Sequence, residues 1–319
     1  MKKVVIFCQA DWAGSAYQVV KAINSVGRIK ATQVVCQKNK QGFEAGISLD
    51  GVGTKIRVND CPEYEEACQA LNDADLVHTW NNEIHDFYGQ YMITRAFNGN
   101  FPAYNHKYKS CTMTGTWYRI HYPHINQRLQ FSGNKLVVQD ATFQMNGVPS
   151  TFIPHAIDID MFKPVPIDER EEKTIGVYHK SDTTANKDII QLQEILNDHP
   201  GWRTTCEDQV DHSERLKQVS KCMFFFQHMS PHMMGMGRST LEALALGIPV
   251  FNSVAPVLYS YMPDLPVMNA TPETLADVFS SALLRNYKIQ AESARKFVED
   301  YHSYQVIGEQ YTKFFEELI

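Results

Sequence analysis

Residues 235–250, GMGRSTLEALALGIPV, hold the densest set of groups suited to binding a charged ligand. A loop with two glycines ends at Arg238, Ser239 follows, and Glu242 comes three residues later. Ser-x-x-Glu ahead of an apolar run is the spacing of a capping box, so a helix is expected to start at Ser239. Leu241, Leu244 and Ala245 share one helical face, Gly247 ends the helix, and Ile248–Phe251 reads as a buried strand. A glycine loop feeding a helix N-terminus aims unpaired N–H groups and the positive end of the helix dipole at an anion. Capped helices also join strands throughout α/β proteins with no ligand present, so the segment alone leaves both readings open.

Other chemistry is less well supported. His121 and His124 are close, but Pro123 between them argues against a helical ligand pair, and no cysteine or carboxylate has suitable spacing. No metal is therefore expected. There is no carboxylate pair or Ser/His/Asp set that marks a protein nucleophile. From Phe87 to Gln139 the chain has no Asp or Glu, yet it carries Arg95, Lys107, Lys109, Arg119, Arg128 and Lys135. Tyr104, Tyr108, Trp117, Tyr118 and Tyr122 are interleaved with them. Basic groups with stacking surfaces suit a polyanion such as nucleic acid, a phosphorylated lipid carrier or an anionic glycan. The competing reading is a set of dispersed, solvated charges.

The 319 residues suffice for two domains, and 44% hydrophobic content lets each bury a core. A net charge of −6 gives the whole molecule no general attraction to nucleic acid or anionic membranes. The seven cysteines are scattered, odd in number and without a CxxC, as expected of free thiols in a reducing compartment. The opening MKKVVIFCQADWAG has too short an apolar run for a signal peptide, and no run reaches the ~18 residues of a membrane span, so a cytoplasmic protein is expected.

These groups need a scaffold. Lys3–Cys8 reads as a strand, Ser15 opens a helix closed by Gly27, and Thr32–Cys36 is the next strand: the start of a doubly wound parallel sheet. A helix at Glu63–Leu71 and strands at Ala74–His78, Phe101–His106 and Lys135–Gln139 extend it, with a short strand near Ile56. Pro154, Pro164 and Pro166 mark an ordered linker. A second alternation follows: strand Thr174–Tyr178, helix Asn186–Leu196, strand Trp202–Cys206, helix Ser213–Val219, strand Cys222–Gln227, then the helix and strand described first. Helices at Pro272–Leu284, Ile289–Glu299 and Tyr304–Leu318 close the chain.

Four segments in this order resemble one family. Gly14 after the first strand, FIPHAIDIDMFKP (152–164), IGVYHKSDTTANKD (175–188) and the stretch ending in Glu242 are similar to the motifs of GT-B fold glycosyltransferases, close to retaining family 4. The resemblance implies an α/β protein of two Rossmann-like doubly wound domains facing a cleft. Residues 1–153 would form the acceptor side and 154–302 the donor domain, with 303–319 a helix crossing back to the first domain. It implies retaining, metal-independent transfer from a nucleotide-diphosphate sugar, the co-substrate, to a hydroxyl acceptor. Lys180, Lys187 and the backbone of Ser239 and Thr240 would hold the diphosphate, with Gly14 and Arg238 beside them. Glu242 would take the ribose hydroxyls or partner Ser239 in the capping box. His106 is the best match for a histidine near the reacting sugar, with His78 second. Lys107, Lys109, Trp117 and Arg119 would contact an anionic acceptor, with nucleic acid bearing a hydroxylated base one candidate. The family's first donor glutamate, eight positions before Glu242, is Met234 here, and His232 or Arg238 would make its contact instead. That departure keeps open a non-catalytic nucleotide-sugar binder, and a nucleotide-sugar epimerase shares the fold.

Overall fold

The computed structural model describes residues 1–11, 14–37, 45–49, 63–80, 107–114, 135–147, 149–177, 183–205, 212–227, 229 and 235–319. They form two compact units, residues 1–156 with 304–319, and residues 157–303. In unit 1 the chain runs β1 (Lys2–Ala10), α1 (Ser15–Val26), β2 (Ile29–Gln37), β3 (Ile47–Ser48), α2 (Glu63–Asp73), β4 (Leu76–Trp80), β5 (Tyr108–Met113), β6 (Lys135–Val138) and β7 (Ser150–Phe152). Unit 2 holds β8 (Thr174–Val177), α3 (Thr183–Asn197), β9 (Arg203–Thr205), α4 (His212–Ser220), β10 (Phe224–Phe226), α5 (Arg238–Ala245), β11 (Val250–Asn252), α6 (Val257–Tyr261), β12 (Met268–Asn269), α7 (Leu275–Leu283) and α8 (Tyr287–His302). The last helix, α9 (Tyr304–Glu316), belongs to unit 1.

Unit 1 is a parallel sheet in the order β3-β2-β1-β4-β5-β6-β7. The order reverses at β1, whose neighbours are β2 and β4. A parallel sheet covered on both faces needs apolar residues on both, so β1 reads VVIF with no alternation and β4 is buried throughout. Gly27 sits at φ 78° and ends α1 as its spacing implied, because the left-handed region costs glycine nothing. α1 and α9 lie together over the sheet, burying Val19, Ile23, Ile307, Tyr311 and Phe315 in one core. Gly308 makes their close approach feasible. A Cβ there would sit 2.7 Å from the carbonyl carbon of Ala22 and 2.8 Å from Val26 Cγ2.

Beneath α9 lies a buried polar row. His78 of β4 places Nδ1 2.8 Å from Ser110 Oγ and Nε2 2.7 Å from Thr112 Oγ1, and Thr112 Oγ1 is 3.2 Å from the Tyr311 hydroxyl. The ring is edge-on to Trp80, Tyr311, Phe314 and Phe315. Burial without a counter-charge drives the His78 pKa down to about 3. The folded protein therefore keeps His78 neutral while the unfolded chain protonates it below about 6.5. Stability on this account is intact above pH 6.5 and falls by about 1.4 kcal/mol per pH unit on acidification toward pH 3. Urea denaturation of wild type and His78→Gln at pH 7 and pH 5 checks this: the variant should lose less stability between the two.

Unit 2 is a parallel sheet in the order β12-β11-β10-β8-β9. Taken in chain order its strands run 2-1-3-4-5, the flavodoxin-like variant of the doubly wound sheet, with the reversal between β8 and β10. Phe224, Phe251 and Phe279 pack with Trp202 on one side of it. Two arginines fix the carboxyl end of α5. Arg170 donates to the carbonyls of Leu246 (3.1 Å) and Gly247 (2.9 Å), and Arg295 to that of Ala245 (2.8 Å) and to Ile159 in the linker (3.0 Å). Cations at a helix C-terminus satisfy orphan carbonyls and oppose the negative end of the dipole.

The β/α order follows the sequence reading, with β3, β5, β7, α6 and β12 additional to it. α3 begins at Thr183, three residues earlier than expected. The strands expected at Phe101–His106 and near Ile56 lie outside the described residues. Among the described residues Cys8, Cys111 and Cys222 are buried and outside any disulfide, and no helix is long and apolar enough to cross a membrane.

Candidate functional site

The capping box spelled by Ser239 and Glu242 does not form. α5 starts one residue earlier, at Arg238, with Gly237 as N-cap and no side-chain cap. Ser239 turns instead to the end of β10, where its hydroxyl donates to Gln227 Oε1 at 2.7 Å. Glu242 is displaced to the second turn and accepts from Arg238 Nε at 2.8 Å. His212, the first residue of α4, brings Nε2 to 3.0 and 3.1 Å from the two Glu242 oxygens.

This three-residue cluster is nearly dry. The side chains of Glu242, Arg238 and His212 are 4%, 11% and 15% exposed. Burial pushes the Glu242 carboxyl up, but the His212 hydrogen bond and the Arg238 charge outweigh it and hold the group below the usual carboxylate value. Glu242 is an anion at neutral pH. His212 was not singled out by any sequence motif. It lies 30 residues from Glu242, and the signal that marks it is only its position at a helix start.

The first three N–H groups of α5, from Arg238, Ser239 and Thr240, have no acceptor within the helix. They follow β10, at the strand-order reversal where doubly wound sheets bind ligands. The carboxyl end of β11 lies alongside, with Asn252 Nδ2 3.4 Å from Thr240 Oγ1. Asp188, next to Lys187 on α3, accepts from Met229 N–H at 2.8 Å and so ties α3 to the chain just past β10. Lys187 itself is exposed on the second turn of α3. The arrangement offers a helix N-terminus, an adjacent arginine and a buried carboxylate that accepts from a guanidinium and an imidazole.

The remaining expected site residues are placed differently. Gly14 is the N-cap of α1 at φ 65°. The N-terminus of α1 already faces a carboxylate, since Asp11 Oδ2 accepts from Tyr17 N–H and from Gln33 Nε2, both at 2.9 Å. Asp11 is 4% exposed, so a buried carboxyl group stands at this helix end beside Gly14. Lys107 and Lys109 stand at the amino-terminal end of β5, away from the carboxyl ends of the strands. Lys107 Nζ donates to the Asn72 carbonyl, and Lys109 Nζ donates to the Leu318 carbonyl at 2.8 Å. Each of these two bonds ties the start of β5 to a neighbouring stretch of backbone. His78, the second candidate for the sugar, is a core residue within β4. His106, Trp117, Arg119, Lys180, His232 and Met234 lie outside the described residues. Among the described residues no three His, Cys, Asp or Glu side chains converge as a metal ion would need.

No family model and no curated protein sequence matches the chain. Solved structures do. Over 99% of both chains the protein is similar to an alpha-glucosyltransferase solved with UDP and a 13-mer DNA containing an HMU base, with a TM-score of 0.66 and 10% identity. HepE of Anabaena, solved with UDP-glucose, gives a TM-score of 0.60 at 13% identity over 98% of this chain and 99% of that one. AviGT4, a glycosyltransferase involved in avilamycin A biosynthesis, gives 0.56 at 13% identity over 100% and 98%. With two parallel doubly wound units in this order, the chain has the GT-B fold of glycosyltransferases.

Proposed function

We propose that the protein is a glycosyltransferase that moves a sugar from a nucleoside-diphosphate sugar to a hydroxyl acceptor. The observation that carries this is the N-terminus of α5, without a side-chain cap at the strand reversal of unit 2, with Glu242 buried one turn behind it. Breaking a glycosyl–phosphate bond requires stabilisation of a diphosphate leaving group. The N–H groups of Ser239 and Thr240, the guanidinium of Arg238, and Lys180 and Lys187 would supply fixed positive charge where negative charge develops. No metal is needed for that task, and transfer with retention, in which a donor phosphate oxygen takes the acceptor proton, needs no protein nucleophile. Glu242 would receive the ribose hydroxyls. UDP-glucose is the first donor to test, because similar folds were solved with UDP or UDP-glucose.

For the acceptor, the acid-free span 87–139 favours an anion. Nucleic acid with a hydroxylated base is the leading candidate, since the alpha-glucosyltransferase of the same fold was solved with HMU-containing DNA. A base within a duplex would have to be flipped out to reach the donor. Arg119 and Trp117, with His106 near the sugar, are the groups of that span carried into this proposal. Phosphorylated lipid and anionic glycan acceptors share the charge logic.

The test is incubation with a panel of nucleotide sugars, reading thermal stabilisation, donor consumption and the mass of candidate acceptors. UDP-glucose is expected to raise the melting temperature and to add a hexose to DNA carrying hydroxymethylated bases. DNA binding is expected to weaken steeply between 50 and 200 mM salt, by about tenfold or more. Stabilisation without turnover would make the protein a nucleotide-sugar binder, and interconversion of free sugar nucleotides would make it an epimerase. Salt-independent binding would exclude a polyanionic acceptor.

A further inference from the structure

We infer that His212 is the positioning residue that aims Glu242 Oε2 at a ribose hydroxyl of the ligand, and so sets the preference for a ribonucleotide donor. The inference rests on the proposed role of the α5 site and names a residue outside every motif of the chain.

Glu242 receives three short contacts: Arg238 Nε to Oε1 at 2.8 Å, and His212 Nε2 to Oε1 at 3.0 Å and to Oε2 at 3.1 Å. A carboxylate has about four lone-pair sites. Oε1 is filled by the two donors, while Oε2 shares only the forked bond from His212. Acceptor capacity therefore remains on Oε2, in a carboxylate that is otherwise enclosed. A carboxylate held as an anion accepts hydrogen bonds and repels phosphate, so the part of a ligand it suits is a hydroxyl.

Position alone does not make such a group selective. The terminal torsion of a glutamate is broad and roughly two-fold, so Arg238 alone, gripping one oxygen, leaves the carboxylate plane free to swivel. The forked contact from His212 touches both oxygens and fixes that plane. His212 can do so because it is the first residue of α4, a helix packed against α5, and its ring is 15% exposed. With the plane fixed, Oε2 meets a ribose hydroxyl without an ordering cost at the moment of binding. His212 acts through Glu242 and touches neither sugar nor phosphate in this scheme.

The experiment uses the full chain and isothermal titration with four pairs, UDP, CDP, ADP and GDP, each beside its 2′-deoxy form. Wild type is expected to bind one ribonucleotide about tenfold or more tighter than its 2′-deoxy partner, the loss expected for a hydrogen bond to a charged group. His212→Leu is expected to lower that ratio to near unity while binding of the 2′-deoxy form changes less than threefold. His212→Gln, whose side-chain amide reaches the same place, should restore most of the ratio, and it carries the test if the leucine variant fails to fold. His212→Asn, which is too short, should not restore it. A wild type that discriminates, with His212→Leu discriminating equally well, overturns the positioning role and leaves the donor site standing. A wild type that binds none of the eight nucleotides overturns the donor reading itself, and the role of His212 with it.

Discussion

Glu242→Leu is expected to lower the stability of unit 2 by about 3–5 kcal/mol at pH 7, because it removes the buried carboxylate that Arg238 and His212 both contact in a nearly dry site. The same substitution should weaken nucleoside-diphosphate binding by about 10–100-fold, through the lost hydroxyl acceptor. The pH dependence separates charge from packing. Glu242 titrates below its ordinary value of 4.5 in the folded protein, so its ionisation contributes fully above pH 4.5. That contribution is lost as pH falls through the lower folded value. Urea denaturation of wild type and Glu242→Leu at pH 7 and pH 3.5 should therefore show the gap between them narrowing in acid. A gap of constant size would assign the loss to packing alone. Replacing Arg238 by methionine in the leucine background should recover part of the stability, since an apolar pair in place of a buried ion pair is often neutral, while nucleotide affinity stays low.

Gly308→Ala is expected to destabilise unit 1 by about 2–3 kcal/mol, against the gain of about 1 kcal/mol that alanine ordinarily brings to a helix interior. The reversal of sign is the point of the experiment. The added methyl group would lie against the backbone carbonyl of Ala22, which no rotamer change can move aside. α1 and α9 must separate, and the separation opens the core of Ile23, Ile307, Tyr311 and Phe315 above the His78 row. Thermal unfolding measures the effect. An alanine variant at or above wild-type stability would show that the two helices are not in contact at that point. Gly308→Val should be worse than alanine, because two further methyl groups meet the same carbonyl.

The alternation of strands and helices was legible because each rule acts over a few residues. The apolar run VVIF makes β1, the spacing of Ala16, Val19, Val20 and Ile23 makes α1, and Gly27 stops it. Gly247 likewise ends the α5 turn in the left-handed region. The prolines of 154–166 mark the passage from unit 1 to unit 2. A capping box is a rule of the same range, yet it failed at Ser239. Gln227, twelve residues away, offered the hydroxyl a better acceptor, and Arg238 with His212 offered Glu242 two charged or polar donors in place of one backbone N–H.

Charge content was equally visible, but the end of the strand on which a charge falls was not. Lys107 and Lys109 belong to an acid-free span, and only the start of β5 at Tyr108 puts them at the amino-terminal end of the sheet, bonded to the carbonyls of Asn72 and Leu318. His78 carries the same side chain as His106, and burial in β4 between Ser110 and Thr112 makes it a core residue. The sequence by itself determined the order of elements, the glycine stops and the helix that carries Glu242, because local sterics and periodicity act within one turn or one strand. Only the tertiary structure decided what Glu242 touches. His212 reaches it through the packing of α4 on α5, and contacts between side chains 30 residues apart leave no local pattern for a sequence to show.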